Sequence, residues 1–178
     1  QHDAVPLEDC YTYSMRFRAP RGAELGAAFL DWLHERGLPD AVYRDPRLAP
    51  VAHPARLPRE MLRFASAILE RIRWSGRDVE DFLGRYLSAP KPHVVFRPTR
   101  AAGSWARLDT RTQLLYSARR FFINGESFTV PARQRALLRE LADRRAIELS
   151  RLAGNSGLIA EWRRAGYLHL SKKAKPDG

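Results

Sequence analysis

The stretch Arg120-Phe121-Phe122-Ile123-Asn124-Gly125-Glu126 decides the fold of the second half of this 178-residue chain. An apolar, β-favouring run is followed directly by Asn-Gly. Both central residues of a type I′ turn need positive φ, which Asn and Gly tolerate best. The stretch therefore predicts a β-hairpin, with one strand at 120–123 and a return strand at 126–130.

The segments around the hairpin predict a small mixed domain over residues 91–171. Residues 113–117 are strand-like, and Pro131 opens a helix that runs through Leu141. A later helix around Trp162 stops at Gly166, and residues 167–170 form a final strand. These short strands and helices resemble a winged-helix arrangement, although the hairpin precedes the main helix. The tail, 172–178, is expected to be disordered.

Upstream of the hinge Ser88-Ala89-Pro90-Lys91-Pro92, the pattern predicts three helices within residues 21–90. The first ends at Gly37, and a proline-rich loop follows it. The second is opened by Pro58, and the third begins with a capping box of Ser75 and Asp78. Their apolar stripes are broader than mutual packing would cover, so we expect a homodimer through residues 21–88.

The first twenty residues predict a half-buried β-strand that ends at Pro20. Its apolar positions alternate with polar ones: Tyr11, Tyr13, Met15 and Phe17. A lone strand leaves its backbone edge and its apolar face without partners. No matching strand is predicted before about residue 114, so we expect the partner strands upstream, in a longer protein.

Charge divides the chain at the hinge. Residues 1–88 carry 13 Lys+Arg and 13 Asp+Glu, whereas residues 89–178 carry 18 and 7, which accounts for the net charge of +11. This asymmetry favours two domains and a contact between the basic region 91–178 and an acidic partner such as rRNA. Five arginines are candidates for a groove that follows phosphates, and a solvated surface is the alternative interpretation. They are Arg119, Arg120, Arg133, Arg135 and Arg139.

Several kinds of site are excluded by the residues present. The sequence has neither a phosphate-binding GxxxxGK[ST] or GxGxxG motif nor a GxSxG nucleophile motif. Its single cysteine, Cys10, excludes an internal disulfide and cysteine-rich zinc modules. His53 is interpreted as a loop residue rather than a metal ligand. The longest apolar runs are too short to cross a membrane, so no membrane partner is expected. The single cysteine and the lack of a visible secretory segment favour a reducing compartment, so a cytoplasmic location is expected.

Three stretches, in the same order, resemble the bacterial ribosomal oxygenases, a family of JmjC/cupin-like iron and 2-oxoglutarate-dependent protein hydroxylases. They are HDAVPLEDCYTYSMRFRAP at 2–20, YRDPRLAPVAHPARLPREM at 43–61, and FFINGE at 121–126 with its helix. The resemblance implies an α+β fold: the terminal strand of a double-stranded β-helix at 1–20, a helical dimerisation region at 21–90 and a winged-helix-like domain at 91–171.

The resemblance also implies a function for the longer protein. Such enzymes hydroxylate ribosomal protein side chains, the bacterial ones an arginine, and hold iron through two histidines and a carboxylate. On this pattern His2 matches the last iron ligand, while the His-x-Asp pair that supplies the other two is absent from the sequence. We therefore expect Fe(II) and 2-oxoglutarate in the parent protein, none bound to this chain alone, and no activity of this chain alone.

Two functions follow as hypotheses. In the first, the chain is the C-terminal portion of such an oxygenase and serves dimerisation and the positioning of a ribosomal protein substrate. In the alternative, it is a non-enzymatic winged-helix module that binds nucleic acid. Steep dependence of RNA binding on salt would favour the second.

Overall fold

A computed structural model describes residues 19–44 and 52–173. The strand predicted before Pro20 and His2, the predicted iron ligand, lie outside the described residues, as does the tail after residue 173. The chain divides into two compact units, Gln1–Val42 and Tyr43–Gly178.

The described part of the first unit contains one helix, α1, at Gly22–Glu35. Its buried residue is Leu33, and the rings of Phe29 and Trp32 stack with centroids 5.7 Å apart. Gly37 has a φ of +96°, a conformation that favours glycine, so the helix ends where the sequence predicts.

The described part of the second unit contains four more helices, six strands and one 3₁₀ segment. The helices are α2 (Arg59–Leu69), α3 (Gly76–Ser88), α4 (Ala132–Arg144) and α5 (Ser156–Ala165), and the 3₁₀ segment is Leu149–Asn155. The strands are β1 (Trp105–Leu108), β2 (Leu114–Tyr116), β3 (Phe121–Ile123), β4 (Glu126–Phe128), β5 (Ala146–Glu148) and β6 (Leu168–Ser171). This mixture of helices and small sheets confirms the predicted α+β class.

Two antiparallel sheets organise the second unit, with strand orders β2-β3-β4 and β5-β1-β6. Asn124 and Gly125, with φ of 49° and 92°, connect β3 to β4, as the Asn-Gly pair predicts. One continuous core lies between the sheets and α4 and α5. Its most buried large side chains include Phe121, Leu138, Leu141, Ile147, Leu152 and Leu168.

The strands β1 and β5 are absent from the sequence prediction, which places no strand between the hinge and about residue 114. Each offers only three or four residues, and Ala106 and Ala146 are weak strand formers. Their pairing depends on distant partners, because β1 lies between β5 and β6. No local pattern encodes that arrangement.

Helix α3 packs on the hairpin sheet instead of joining the upstream helices with which the sequence pattern groups it. The Ser88 hydroxyl accepts a hydrogen bond from the Gly125 N–H at 3.0 Å, and Arg85 donates to Gly125 O and Ser127 Oγ at 3.3 and 2.8 Å. The compact unit that contains α3 begins at Tyr43. The capping box is as predicted, with Ser75 N–H donating to Asp78 Oδ2 at 2.8 Å.

Pro58 occupies the N-cap of α2, whereas the sequence predicts it in the first turn of the helix. No residue of α2 is buried. No helix among residues 19–44 and 52–173 has the length and apolar character needed to cross a membrane.

Candidate functional site

A buried carboxylate organises one end of the second unit. Asp109 is only 8% exposed and follows β1 directly. Its Oδ1 accepts from Arg111 Nε at 2.8 Å, and its Oδ2 accepts from Arg111 Nη2 at 2.9 Å and from His169 Nε2 at 3.0 Å. The hydrogen bonds from Arg111 are the main reason why the pKa of Asp109 lies well below its ordinary value, and the bond from His169 lowers it further.

This network fixes the extended segment before β1 against the last strand. The other ring nitrogen of His169, Nδ1, forms a hydrogen bond with Thr99 Oγ1 at 3.2 Å, and Arg111 Nη1 donates to Val95 O at 2.9 Å. The ring of Phe96 meets that of Tyr167 edge to face, at 4.8 Å between centroids. Segment 95–99 is therefore held in place by Arg111, which follows β1, and by Tyr167 and His169 at the last strand.

Gly166 allows segment 95–99 to pack closely against the end of α5. Gly166 has a φ of +80° and ends α5, and a Cβ there would lie 2.6 Å from the Arg97 carbonyl carbon. The backbone of the segment therefore passes directly over the end of the helix. As a result, Pro98 and Thr99 of the segment lie beside Arg163 and Arg164 in the last turn of α5.

Four arginines belong to these two neighbouring elements, and we call them the arginine patch: Arg97 and Arg100 in the segment before β1, and Arg163 and Arg164 in α5. Pro98, Thr99 and Ala160 line a shallow cavity of about 350 Å³ together with Arg163 and Arg164. Within the described part of the chain, no member of the patch forms an ion pair with a carboxylate. Unpaired guanidinium groups beside a concave surface are suited to bind phosphate oxygens.

The arginines singled out from the sequence mostly have structural roles. Arg120 pairs with Asp81 at 2.9 Å, Arg135 donates to Val130 O at 3.3 Å, and Arg139 donates to Ala118 O at 2.8 Å. Of the five sequence candidates, Arg119 and Arg133 are exposed and form no such contact with the described residues. The sequence alone does not identify the arginine patch, because its two pairs of arginines lie more than sixty residues apart. The excess of Lys and Arg in residues 89–178 is the one sequence signal of it.

No iron site is found in the described part of the chain. Residues 19–44 and 52–173 contain no group of three His, Cys, Asp or Glu side chains that could hold a metal ion. His53 lies in a turn, where its carbonyl accepts from the Arg56 N–H at 3.1 Å. The described residues thus do not fit iron with 2-oxoglutarate, and the predicted ligand His2 remains a prediction outside them.

The arrangement of a three-stranded hairpin sheet, a core of α4 and α5 and a second small sheet defines a winged-helix domain. The ROXA-like winged helix family matches residues 71–169, which include α3 and end in β6. Since this match covers more than half of the chain, the chain belongs to that family.

Comparison with known proteins connects the domain to ribosomal oxygenases. The ribosomal protein uL16 3-hydroxylase of Escherichia coli (strain K12) is 34% identical over 98 residues, which cover 54% of this chain and 26% of that protein. Two structures of the E. coli ribosomal oxygenase YcfD, one with cobalt and succinic acid and one with cobalt and 2-oxoglutarate, share the fold at 24% identity. Each has a TM-score of 0.58 and covers 86% of this chain and 47% of its own.

These relatives confirm the resemblance stated from the sequence. The chain spans about a quarter of the curated relative and about half of the solved chains. The catalytic activity, substrate and partners of the whole relative therefore do not transfer to this chain by similarity alone.

Proposed function

We propose that the chain is the C-terminal, non-catalytic portion of an oxygenase that uses Fe(II) and 2-oxoglutarate to hydroxylate a ribosomal protein, with arginine as the modified side chain. The observation that carries this proposal is the family match over 71–169 together with 34% identity to a uL16 hydroxylase. On this proposal Fe(II) and 2-oxoglutarate belong to the parent protein, and enzyme and substrate meet in the cytoplasm.

The test compares this chain with the longer polypeptide that contains it. Each is incubated with Fe(II), 2-oxoglutarate and purified uL16, and mass spectrometry measures the addition of one oxygen atom while succinate is quantified. We expect turnover only by the longer polypeptide, with the added oxygen on an arginine. Turnover by the 178-residue chain alone would contradict the non-catalytic role, and a longer polypeptide that leaves every ribosomal protein unmodified would contradict the activity.

Within this function we assign dimerisation to residues 21–88. The support is α2, which presents Met61, Leu62 and Leu69 to solvent at 37%, 51% and 65% exposure. Large apolar side chains that recur on one face of a helix without a partner are typical of an interface.

A second candidate function is RNA binding by the basic region, and the arginine patch favours it. Each phosphate contact that is lost should reduce the slope of log Kd against log salt concentration by about 0.7 to 0.9. The test measures binding of a fluorescent RNA duplex by the chain, by the Arg163→Ala/Arg164→Ala variant and by a control, Arg71→Ala/Arg77→Ala, that removes two exposed arginines elsewhere.

RNA binding predicts a shallower slope for the patch variant than for the control. Equal slopes for both variants would remove the patch as the contact site. Absence of binding by the unmodified chain at low salt would remove RNA binding altogether.

A further inference from the structure

An open apolar groove lies between α3 and β2. Leu83 and Leu87, one helical turn apart, form one wall, and Leu115 and Tyr116 form the other. The buried ring of Phe122 lies at the floor between them. The groove has a volume of about 450 Å³, within the range of roughly 300–1,000 Å³ usual for binding pockets. It is therefore large enough to take an apolar side chain of a partner together with its flanking backbone.

The walls of this groove are unusually exposed for their composition. Leu83, Leu87 and Tyr116 are 38%, 50% and 39% exposed, although the sheet beneath them is buried. Continuing the apolar stripe, Val79 lies one turn before Leu83 and is 43% exposed. A contiguous apolar surface of this kind marks a place where another molecule binds.

The charge of the groove is opposite to that of the region around it. Glu80 and Asp143 line it, and no lysine or arginine does. Among the described residues neither carboxylate has a cationic partner, since Asp143 accepts only from the Tyr116 hydroxyl, at 3.0 Å. A chain with a net charge of +11 thus has two carboxylates without a described cationic partner beside its apolar groove.

These features specify the chemistry of the occupant. The leucines require an apolar anchor, and the unpaired carboxylates require Lys or Arg on either side of it. Nucleic acid is disfavoured, because its phosphates would approach Glu80 and Asp143. A protein that binds rRNA carries many Lys and Arg residues for its own contacts with phosphate, and so meets the requirement.

We propose that the groove between α3 and β2 docks a basic segment of the ribosomal protein substrate, with an apolar side chain of that segment inserted against Leu83 and Leu87. This inference rests on the proposed function for the class of its partner. The groove then positions the substrate from a site outside the catalytic domain.

The test is a titration of fluorescently labelled uL16 with the 178-residue chain, followed by fluorescence anisotropy. Two variants change the groove: Glu80→Lys/Asp143→Lys reverses its charge, and Leu87→Ser removes an exposed apolar wall. Their matched controls are Glu126→Lys/Glu161→Lys, which reverses two exposed carboxylates on β4 and α5, and Val95→Ser, which removes an apolar side chain that is 60% exposed outside the groove. Circular dichroism and thermal unfolding verify that each variant is folded.

We expect the charge-reversed variant to bind uL16 roughly tenfold more weakly and Leu87→Ser to bind several-fold more weakly. Both controls should remain within about twofold of the unmodified chain. Rising salt should weaken binding by the unmodified chain and have little effect on the charge-reversed variant. Since Leu87 is half exposed, its variant still decides the question if charge reversal prevents folding.

Three outcomes would overturn the proposal: no binding of uL16 by the unmodified chain, equal binding by groove variants and controls, or groove variants that lose self-association in light scattering while binding uL16 normally. The last outcome would identify the groove as an interface between two copies.

Turnover by the longer polypeptide is measured separately, so the oxygenase function can stand while the groove proposal falls. Conversely, docking of uL16 without any turnover would contradict the function and leave the groove supported.

Discussion

The ring of Phe122 in β3 packs directly on the backbone of Gly84 in α3, where no side chain larger than hydrogen fits. This contact brings the helix close enough to the hairpin for Ser88 and Arg85 to bond with Gly125. Ion pairs also connect α3 to the hairpin, because Asp81 of α3 pairs with Arg85 of the same helix and with Arg120, which precedes β3. Burial alone would raise the pKa of Asp81, but the hydrogen bonds from Ser127 and Arg85 and the two arginine charges lower it overall.

Replacement of Gly84 by alanine should therefore loosen α3 from the sheet. The added methyl group overlaps the Phe122 ring, and such overpacking costs about 1–3 kcal/mol, partly offset by a gain of roughly 1 kcal/mol in helix propensity. Chemical denaturation of Gly84→Ala should show a lower free energy of unfolding. The control is Gly76→Ala in the same helix, where nothing lies within 4 Å of the new Cβ and no loss is expected. Equal stability of the two variants would contradict the close contact.

Stability should depend on pH through Asp109. Because the folded pKa of this carboxyl lies below its ordinary value of 3.8, its contribution is complete above that pH and is lost as the pH falls further. Asp109→Asn should lower the free energy of unfolding at pH 7 by about 1–3 kcal/mol and flatten its dependence on pH between about pH 5 and pH 2. Arg111→Ala should flatten it as well, since Arg111 is the main cause of the shift. The same slope in all three proteins would show that the network does not stabilise the fold.

Arg145 has an unfavourable, left-handed backbone conformation, whereas its side chain forms favourable hydrogen bonds. It ends α4 with a φ of 62°, and its Nη2 donates to the carbonyls of Asp109 and Thr112 at 2.7 and 2.9 Å. Arg145→Ala loses these bonds and keeps the left-handed backbone, whereas Arg145→Gly loses them but tolerates the backbone. We expect both to be destabilised, the alanine variant by about 1 kcal/mol more. A glycine variant less stable than the alanine variant would contradict this account.

Dimerisation through α2 can be tested at the exposed face of the helix. Leu62→Asp/Leu69→Asp places two charges on that face and should convert a dimer into a monomer at micromolar concentration, as measured by light scattering. The matched control is Ala67→Asp, on the opposite face of the same helix, which should leave the oligomeric state unchanged. A strictly monomeric unmodified chain would contradict the assignment of residues 21–88 as a dimer region.

Local features of the fold could be predicted from the sequence. The Asn124-Gly125 hairpin, the Ser75 capping box and the helix ends at Gly37 and Gly166 all depend on the backbone preferences of one or two residues. Such preferences act whatever the rest of the chain does, which is why these predictions are confirmed. The family resemblance was likewise visible from three short stretches.

The sites could not be predicted in the same way. Which arginines are unpaired depends on where Asp81 and the carbonyls of distant residues come to lie, so Arg120 and Arg139 looked like candidates while Arg163 did not. The groove needs α3, β2 and the end of α4 side by side, and the pattern grouped α3 with other helices instead.

By itself, then, the sequence determined the local elements and the class of the domain, because these follow from residues that are neighbours along the chain. The packing of α3 on the hairpin, the pairing of β1 with β5 and β6, and the segregation of unpaired arginines from unpaired carboxylates were decided by the tertiary structure alone. Their physical reason is burial and pairing between residues that are far apart in the sequence, and these interactions become available only when the whole unit has folded.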